Sequence, residues 1–231
     1  MIKEVSKGEV FDFAASIKEG RLHRLPTWLK VDRYLIRPLA AVLVRLVYPT
    51  AITPDHLTWM SFFMGLLAAG CFWGGTRGWF LLGGVLALIS STFDGADGML
   101  ARSKGLSSRR GAFLDLSLDR VVDWAIYLGV VVGTYRAGAP LWLLGMGLVA
   151  LSLYLLQTTL YYLYLILRRG DMQSGDTGEV RGLIYFLVLV VGLTGRTDLL
   201  VWMMAVMPLV GVPLQIWRIV QYVPEEPAER S

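Results

Sequence analysis

The chain has one cysteine, Cys71, and two histidines, His23 and His56, in 231 residues. A single thiol excludes an intramolecular disulfide. Two isolated histidines, neither with a second ligand at metal spacing, exclude a histidine-based metal centre. Charge is also scarce: 17% of residues are Asp, Glu, Lys or Arg against 55% hydrophobic, which excludes a soluble globule. The N-terminus lacks the basic-then-apolar pattern of a cleavable leader, so residue 1 onward is expected to be retained. No basic-aromatic RNA-binding motif accompanies the net charge of +4, so nucleic acid is not an expected partner. No internal repeat is apparent.

What the chain has in abundance is long apolar runs, with a mean hydropathy of +0.55. Runs of about 20 residues are long enough to cross a bilayer as helices. Six are expected, at 56–74, 79–101, 111–135, 140–167, 181–195 and 198–220. The fifth is short and needs tilt or local thinning. The fourth exceeds the bilayer core and can project from it. Before them, residues 30–48 place Arg33, Arg37 and Arg45 among Leu, Val and Ile, a pattern that predicts an amphipathic helix lying in the interface. The expected fold class is therefore an all-α integral membrane protein: six transmembrane helices preceded by an interfacial helix. Residues 1–50 form the N-terminal segment, 51–222 the six-span domain and 223–231 a polar tail. Eighteen of the 22 basic residues fall on one side of this arrangement, so the positive-inside rule places both termini in the cytoplasm.

Against that apolar background, DGADGMLARSKGLSSRRGAFLDLSLD holds four carboxylates at bilayer depth. Charge there is costly and marks function by default. Asp94 and Asp97 are spaced i, i+3, and Asp115 and Asp119 i, i+4, so each pair shares one helix face. Counted from the basic linker, Asp97 and Asp115 lie roughly 6 to 8 Å into their helices, and Asp94 and Asp119 about 12 Å. A short linker favours antiparallel neighbours, which would bring the four together at matched depth on the cytoplasmic side. Like charges so placed need a cation, and hard oxygen ligands open toward phosphate suit Mg²⁺ or Mn²⁺. Gly95, Gly98 and Gly111 are expected to leave room beside the carboxylates for a ligand or a second backbone.

The run D-x2-D-G-x2-A-R-x8-G-x3-D-x3-D resembles the signature of the CDP-alcohol phosphotransferases at every fixed position: Asp94, Asp97, Gly98, Ala101, Arg102, Gly111, Asp115 and Asp119. The resemblance implies an integral membrane enzyme that moves a phospho-alcohol group from a CDP-linked donor to a hydroxyl acceptor and releases CMP. It implies that Asp94, Asp97 and Asp115 bind metal and that Asp119 is the general base, also touching a second Mg²⁺ or Mn²⁺ ion. Gly98, Ala101, Arg102 and Gly111 would line the CDP pocket, with Ser108 from the following loop. The segment ITPDHLT matches the family's T-P-N-x-x-T at Thr53 and Thr58, with Asp55 in place of Asn, and the resemblance implies that Asp55 and Thr58 also contribute to binding the CDP donor. The resemblance also implies a homodimer.

DRYLIRPLA followed by ITPDHLT also resembles the di-inositol-phosphate phosphate synthases and other enzymes that use inositol phosphate. This makes inositol phosphate the expected acceptor and glycerol phosphate the next, in phospholipid or polar-head biosynthesis. A phosphorylated acceptor needs cations, and Arg181, Arg168 and Arg218 at cytoplasmic span ends are the candidates; each is also explained as a positive-inside flank. The competing reading is a non-enzymatic ion carrier using buried aspartates. Arg120 and Asp123 are expected to pair with neighbours along the third span, with Asp123, one turn beyond Asp119, also placed to tune the base. Gly129 and Gly133 form a small-xxx-small pair for helix contact within or between chains.

Overall fold

The computed structural model describes residues 32–169 and 177–222. Every regular element among them is helical. A π-helical turn, Asp32–Ile36, runs into α1 (Arg37–Val47); there follow α2 (Pro54–Trp73), α3 (Arg77–Ser103), α4 (Arg109–Arg136), α5 (Leu141–Arg169), α6 (Thr177–Thr194) and α7 (Thr197–Tyr222). Among the described residues, four helices are long and apolar enough to cross a membrane: α2, α3, α5 over Leu141–Tyr161, and α7 over Thr197–Gln221. The two remaining expected spans differ in kind. Helix α4 has the length, but Asp115, Asp119, Arg120 and Asp123 interrupt its apolar character. Among the described residues, α6 shows a shorter apolar stretch over Ile184–Thr194.

The central element is α2, against which both α3 and α4 pack. Its start follows from the sequence: Thr53 is extended and caps the helix, Pro54 opens it, and the Thr53 N–H donates to His56 Nδ1 at 3.1 Å. His56 thus serves the first turn of α2, reaching back from N3 as Glu does in a capping box. Toward α3 the contact is polar. Ser61 Oγ donates to the Ser90 carbonyl at 2.9 Å and Ser90 Oγ to the Ser61 carbonyl at 2.8 Å, both buried. Hydroxyl pairs of this kind join helices where lipid supplies no hydrophobic drive.

Toward α4 the contact is steric. A Cβ on Gly129 would stand 2.5 Å from the Ala69 carbonyl oxygen, and one on Gly133 would collide with that of Phe72. The small-xxx-small pair is therefore an internal contact that lets α2 and α4 touch backbone to backbone. Gly133→Leu is expected to destabilise the protein by about 2 to 3 kcal/mol, a typical overpacking cost. The control is Gly145→Leu, where nothing lies within 4 Å. Thermal unfolding in detergent should separate the two, and equal melting temperatures would contradict this packing.

Helix α7 carries Pro208 and Pro213 in its interior. Pro208 has no N–H to offer the carbonyl of Met204 four residues earlier. Tyr127 of α4 supplies the missing donor, its hydroxyl meeting Met204 O at 2.6 Å in the core.

Helix α1 has 11 residues, and it buries Ala40, Ala41 and Val44 while Leu39, Val42 and Leu46 stay exposed. Its buried face packs on α3, where a Cβ on Gly95 would meet Ala40 Cβ at 3.5 Å and Ile36 Cγ2 at 3.8 Å. Of the two occupants expected beside Gly95, a ligand or a second backbone, it is helix α1 that takes the space. Arg37, expected to reach for headgroups, instead donates from Nε to Asp32 Oδ2 at 2.7 Å.

Candidate functional site

Helix α3 ends in a left-handed turn. Gly105, at φ 64°, allows the Leu106 N–H to reach back to the Ala101 carbonyl at 2.8 Å. This is the Schellman arrangement that only glycine adopts without strain. Ser108 then starts α4, its Oγ accepting from the Gly111 N–H at 3.0 Å. The tight connection returns the chain antiparallel, as its length predicts. Yet α3 and α4 pack chiefly on α2 rather than on each other. A groove between them results, with α2 as its floor.

The carboxylates line that groove. Oxygens of Asp94 from α3 and of Asp115 and Asp119 from α4 all lie within 4.8 Å of one another, each side chain partly buried. Three hard oxygen donors converging from two helices fit a divalent cation of the Mg²⁺ or Mn²⁺ type. Asp97 is placed differently. It is 6% exposed, and Thr58 Oγ1 of α2 donates to its Oδ2 at 2.5 Å. It stands within electrostatic reach of the other three aspartates, but not in their mutual cluster.

The other expected site residues surround this centre. Gly98 provides space for Arg102: a Cβ there would lie 3.4 Å from Arg102 Nη1, so the guanidinium folds back one turn along α3. Ala101 is half-buried on the same helix. Gly111 faces Ser108 and Asp55, whose Oγ and Oδ1 would stand 3.1 and 3.8 Å from a Cβ at that position. The N-terminus of α2 and the first turn of α4 therefore meet at the groove mouth. Thr58 is engaged by Asp97, deeper than the mouth. The side chains of Arg168, Arg181 and Arg218 lie outside the described residues.

Sequence reasoning did not find Lys104. Its Nζ donates to the carbonyls of Thr50 and Ile52, both at 2.8 Å, and lies 6.0 Å from the Tyr48 ring centroid. Partial burial pushes its ammonium below the usual lysine pKa. Lys104 thereby ties the end of α3 to the α1–α2 turn and holds the mouth together. A lysine in the linker was legible only as part of a basic run.

The fold and groove define a multi-pass helical membrane protein with a carboxylate cluster able to hold a hard cation. The chain belongs to the CDP-alcohol phosphatidyltransferase family, whose model matches residues 46–217. It is 37% identical over 112 residues to the inner membrane protein YnjF of Escherichia coli, covering 47% of this chain and 52% of that one. It is 38% identical over 112 residues to a phosphatidylinositol phosphate synthase of Cutibacterium acnes, covering 48% of each. It is 40% identical over 84 residues to a bifunctional IPC transferase and DIPP synthase of Rubrobacter xylanophilus, covering 36% of this chain and 19% of that one. The chain spans about half the length, or less, of these relatives.

Proposed function

We propose that this protein transfers a phospho-alcohol group from a CDP-linked donor to the hydroxyl of a polar alcohol, releasing CMP, with inositol phosphate as acceptor and glycerol phosphate as the next choice. The observation that carries the reading is the convergence of Asp94, Asp115 and Asp119 from two helices in a protein of this family. The names of two relatives, a phosphatidylinositol phosphate synthase and a DIPP synthase, support the choice of acceptor.

Asp94, Asp97 and Asp115 would hold one divalent ion, and Asp119 would share a second. When bound, the metal would supply charge neutralisation at the diphosphate, the main requirement in transfers of this type. The protein's own residues do the rest. Arg102 offers a planar fork to a donor phosphate. Asp55, Ser108, Gly98, Ala101 and Gly111 shape the nucleotide end, where Asp55 can accept from the cytosine amine. Asp119 takes the acceptor's hydroxyl proton as the new O–P bond forms and the bond to CMP breaks.

In this reading α2 to α7 all span the membrane. Helix α4 crosses because its charges face the groove, and α6 crosses with tilt. Helix α1 lies in the interface, and residues 51–222 form the catalytic domain of a homodimer. The groove opens to the cytoplasm, where a CDP-linked donor is available.

The test is CMP release from CDP-diacylglycerol or CDP-inositol against inositol phosphate, glycerol phosphate, inositol and serine. Inositol phosphate should give the highest rate, and selective use of unphosphorylated inositol or serine would contradict the acceptor assignment. Arg181→Ala should raise KM for the phosphorylated acceptor more than for the donor. An unchanged acceptor KM would return Arg181 to the role of a membrane flank.

A further inference from the structure

Asp123 is a buried carboxylate that the proposed chemistry does not use. It is 7% exposed, one turn beyond Asp119 on α4. Three donors converge on it from three helices. Arg120 of α4 reaches its Oδ2 at 2.8 Å, the Tyr154 hydroxyl of α5 donates to Oδ2 at 2.9 Å, and the Tyr185 hydroxyl of α6 donates to Oδ1 at 3.1 Å. The Tyr154 ring also stacks on Tyr127, with centroids 5.6 Å apart. A buried carboxylate with three donors is costly to rearrange, so the relative height of the helices it joins is fixed.

We propose that the Asp123–Tyr185 pair is a positioning device that sets the height of α6 against α4, bringing position 181 level with Asp94 and Asp119. The inference rests on the reading of Arg181 as an acceptor ligand. Asp119 lies four residues before Asp123, and position 181 four before Tyr185. The two helices run the same way, so both lie about 6 Å toward the groove mouth from the pinned pair. An independent register agrees. Helices α3 and α6 are antiparallel, with Gly84 against Leu189 and Gly192 against Phe80, where added Cβ atoms would stand 3.0 Å from Leu189 Cα and 3.6 Å from Phe80 Cβ. Continued toward the mouth, that pairing sets Asp94 opposite position 179, about 3 Å along the axis from 181. Two sets of contacts, on different helices, thus set the start of α6 level with the carboxylates.

Cross-linking tests the register without activity. In a Cys71→Ala background, Asp119→Cys with Arg181→Cys should react with a short bis-thiol reagent much faster than Asp119→Cys with Val188→Cys. Adding Tyr185→Phe should slow the first pair by about tenfold, as expected for a lost hydrogen bond to a charged group. Equal rates for the two pairs, or no effect of Tyr185→Phe, would overturn the proposal.

In the otherwise wild-type protein, Tyr185→Phe should raise acceptor KM by about tenfold with donor KM unchanged. Tyr154→Phe, which frees α5 from the same carboxylate, should shift acceptor KM less. Equal rises in both KM values, or equal effects of the two variants, would mean that Asp123 only stabilises the fold. Cross-linking as expected without any use of a phosphorylated acceptor would leave the register standing and remove the acceptor reading.

Discussion

Asp119→Asn should reduce CMP release by about 10²- to 10⁴-fold, the usual contribution of a positioned proton acceptor. Donor binding should change far less. The amide keeps the volume of the carboxylate and one oxygen, so the walls of the groove persist. What it cannot do is take the proton of the acceptor hydroxyl. Asp119 is the member of the cluster farthest along α4 from the linker, and its oxygen lies within 4.8 Å of those of Asp94 and Asp115. A nucleophile approaching phosphorus beside the metal ligands would therefore meet it. Turnover and donor affinity measured on one preparation separate the base from a ligand. Turnover within a few-fold of wild type would remove Asp119 as the base, while a parallel loss of donor binding would make it principally a metal ligand.

The second large effect is expected at the metal ligands, and the structure grades it. Asp94→Asn removes an oxygen donor from the three-carboxylate cluster and should weaken Mn²⁺ binding by more than about 100-fold, beyond the 10- to 100-fold typical of residues that only support a ligand. Asp97→Ala should weaken metal-dependent donor binding as well. Thr58→Val, which leaves Asp97 without its buried hydroxyl donor, should cost about tenfold. Titration of bound Mn²⁺ by electron paramagnetic resonance measures all three. The same affinity in Asp94→Asn and wild type would contradict the cluster as a metal site. A Thr58→Val loss exceeding that of Asp94→Asn would make Asp97 the principal ligand.

The carboxylate cluster was legible in the sequence because aspartates are rare in apolar runs and their spacing, i+3 and i+4, fixes their faces. The short linker likewise predicted the antiparallel return that joins Asp94 to Asp115 and Asp119. Contacts set by distant parts of the chain were not legible. Gly95 lies between two aspartates, yet its open side receives Ile36 and Ala40 from α1, more than 50 residues earlier. The role of α2 as the shared floor rests on Ser61 meeting Ser90 and on Phe72 meeting Gly133, pairings that no local pattern encodes. Asp123 reads alone as a carboxylate pairing with neighbours along its own span; Tyr154 and Tyr185 join it only through the fold. His56 was legible in principle, since Thr53 followed three residues later by a side-chain acceptor is a helix-start pattern. Hydropathy found the long helices but could not grade α4, whose interior charges interrupt its apolar character.

The most direct test of the account is CMP release by the purified protein in detergent, from CDP-diacylglycerol with inositol phosphate, in Mg²⁺ or Mn²⁺ and then in excess chelator. The account predicts release that requires the metal, returns when it is restored and is absent in Asp119→Asn. Release that persists undiminished in chelator would contradict a metal-dependent carboxylate site. No release from any CDP-linked donor, together with no donor binding, would contradict the proposed transfer reaction.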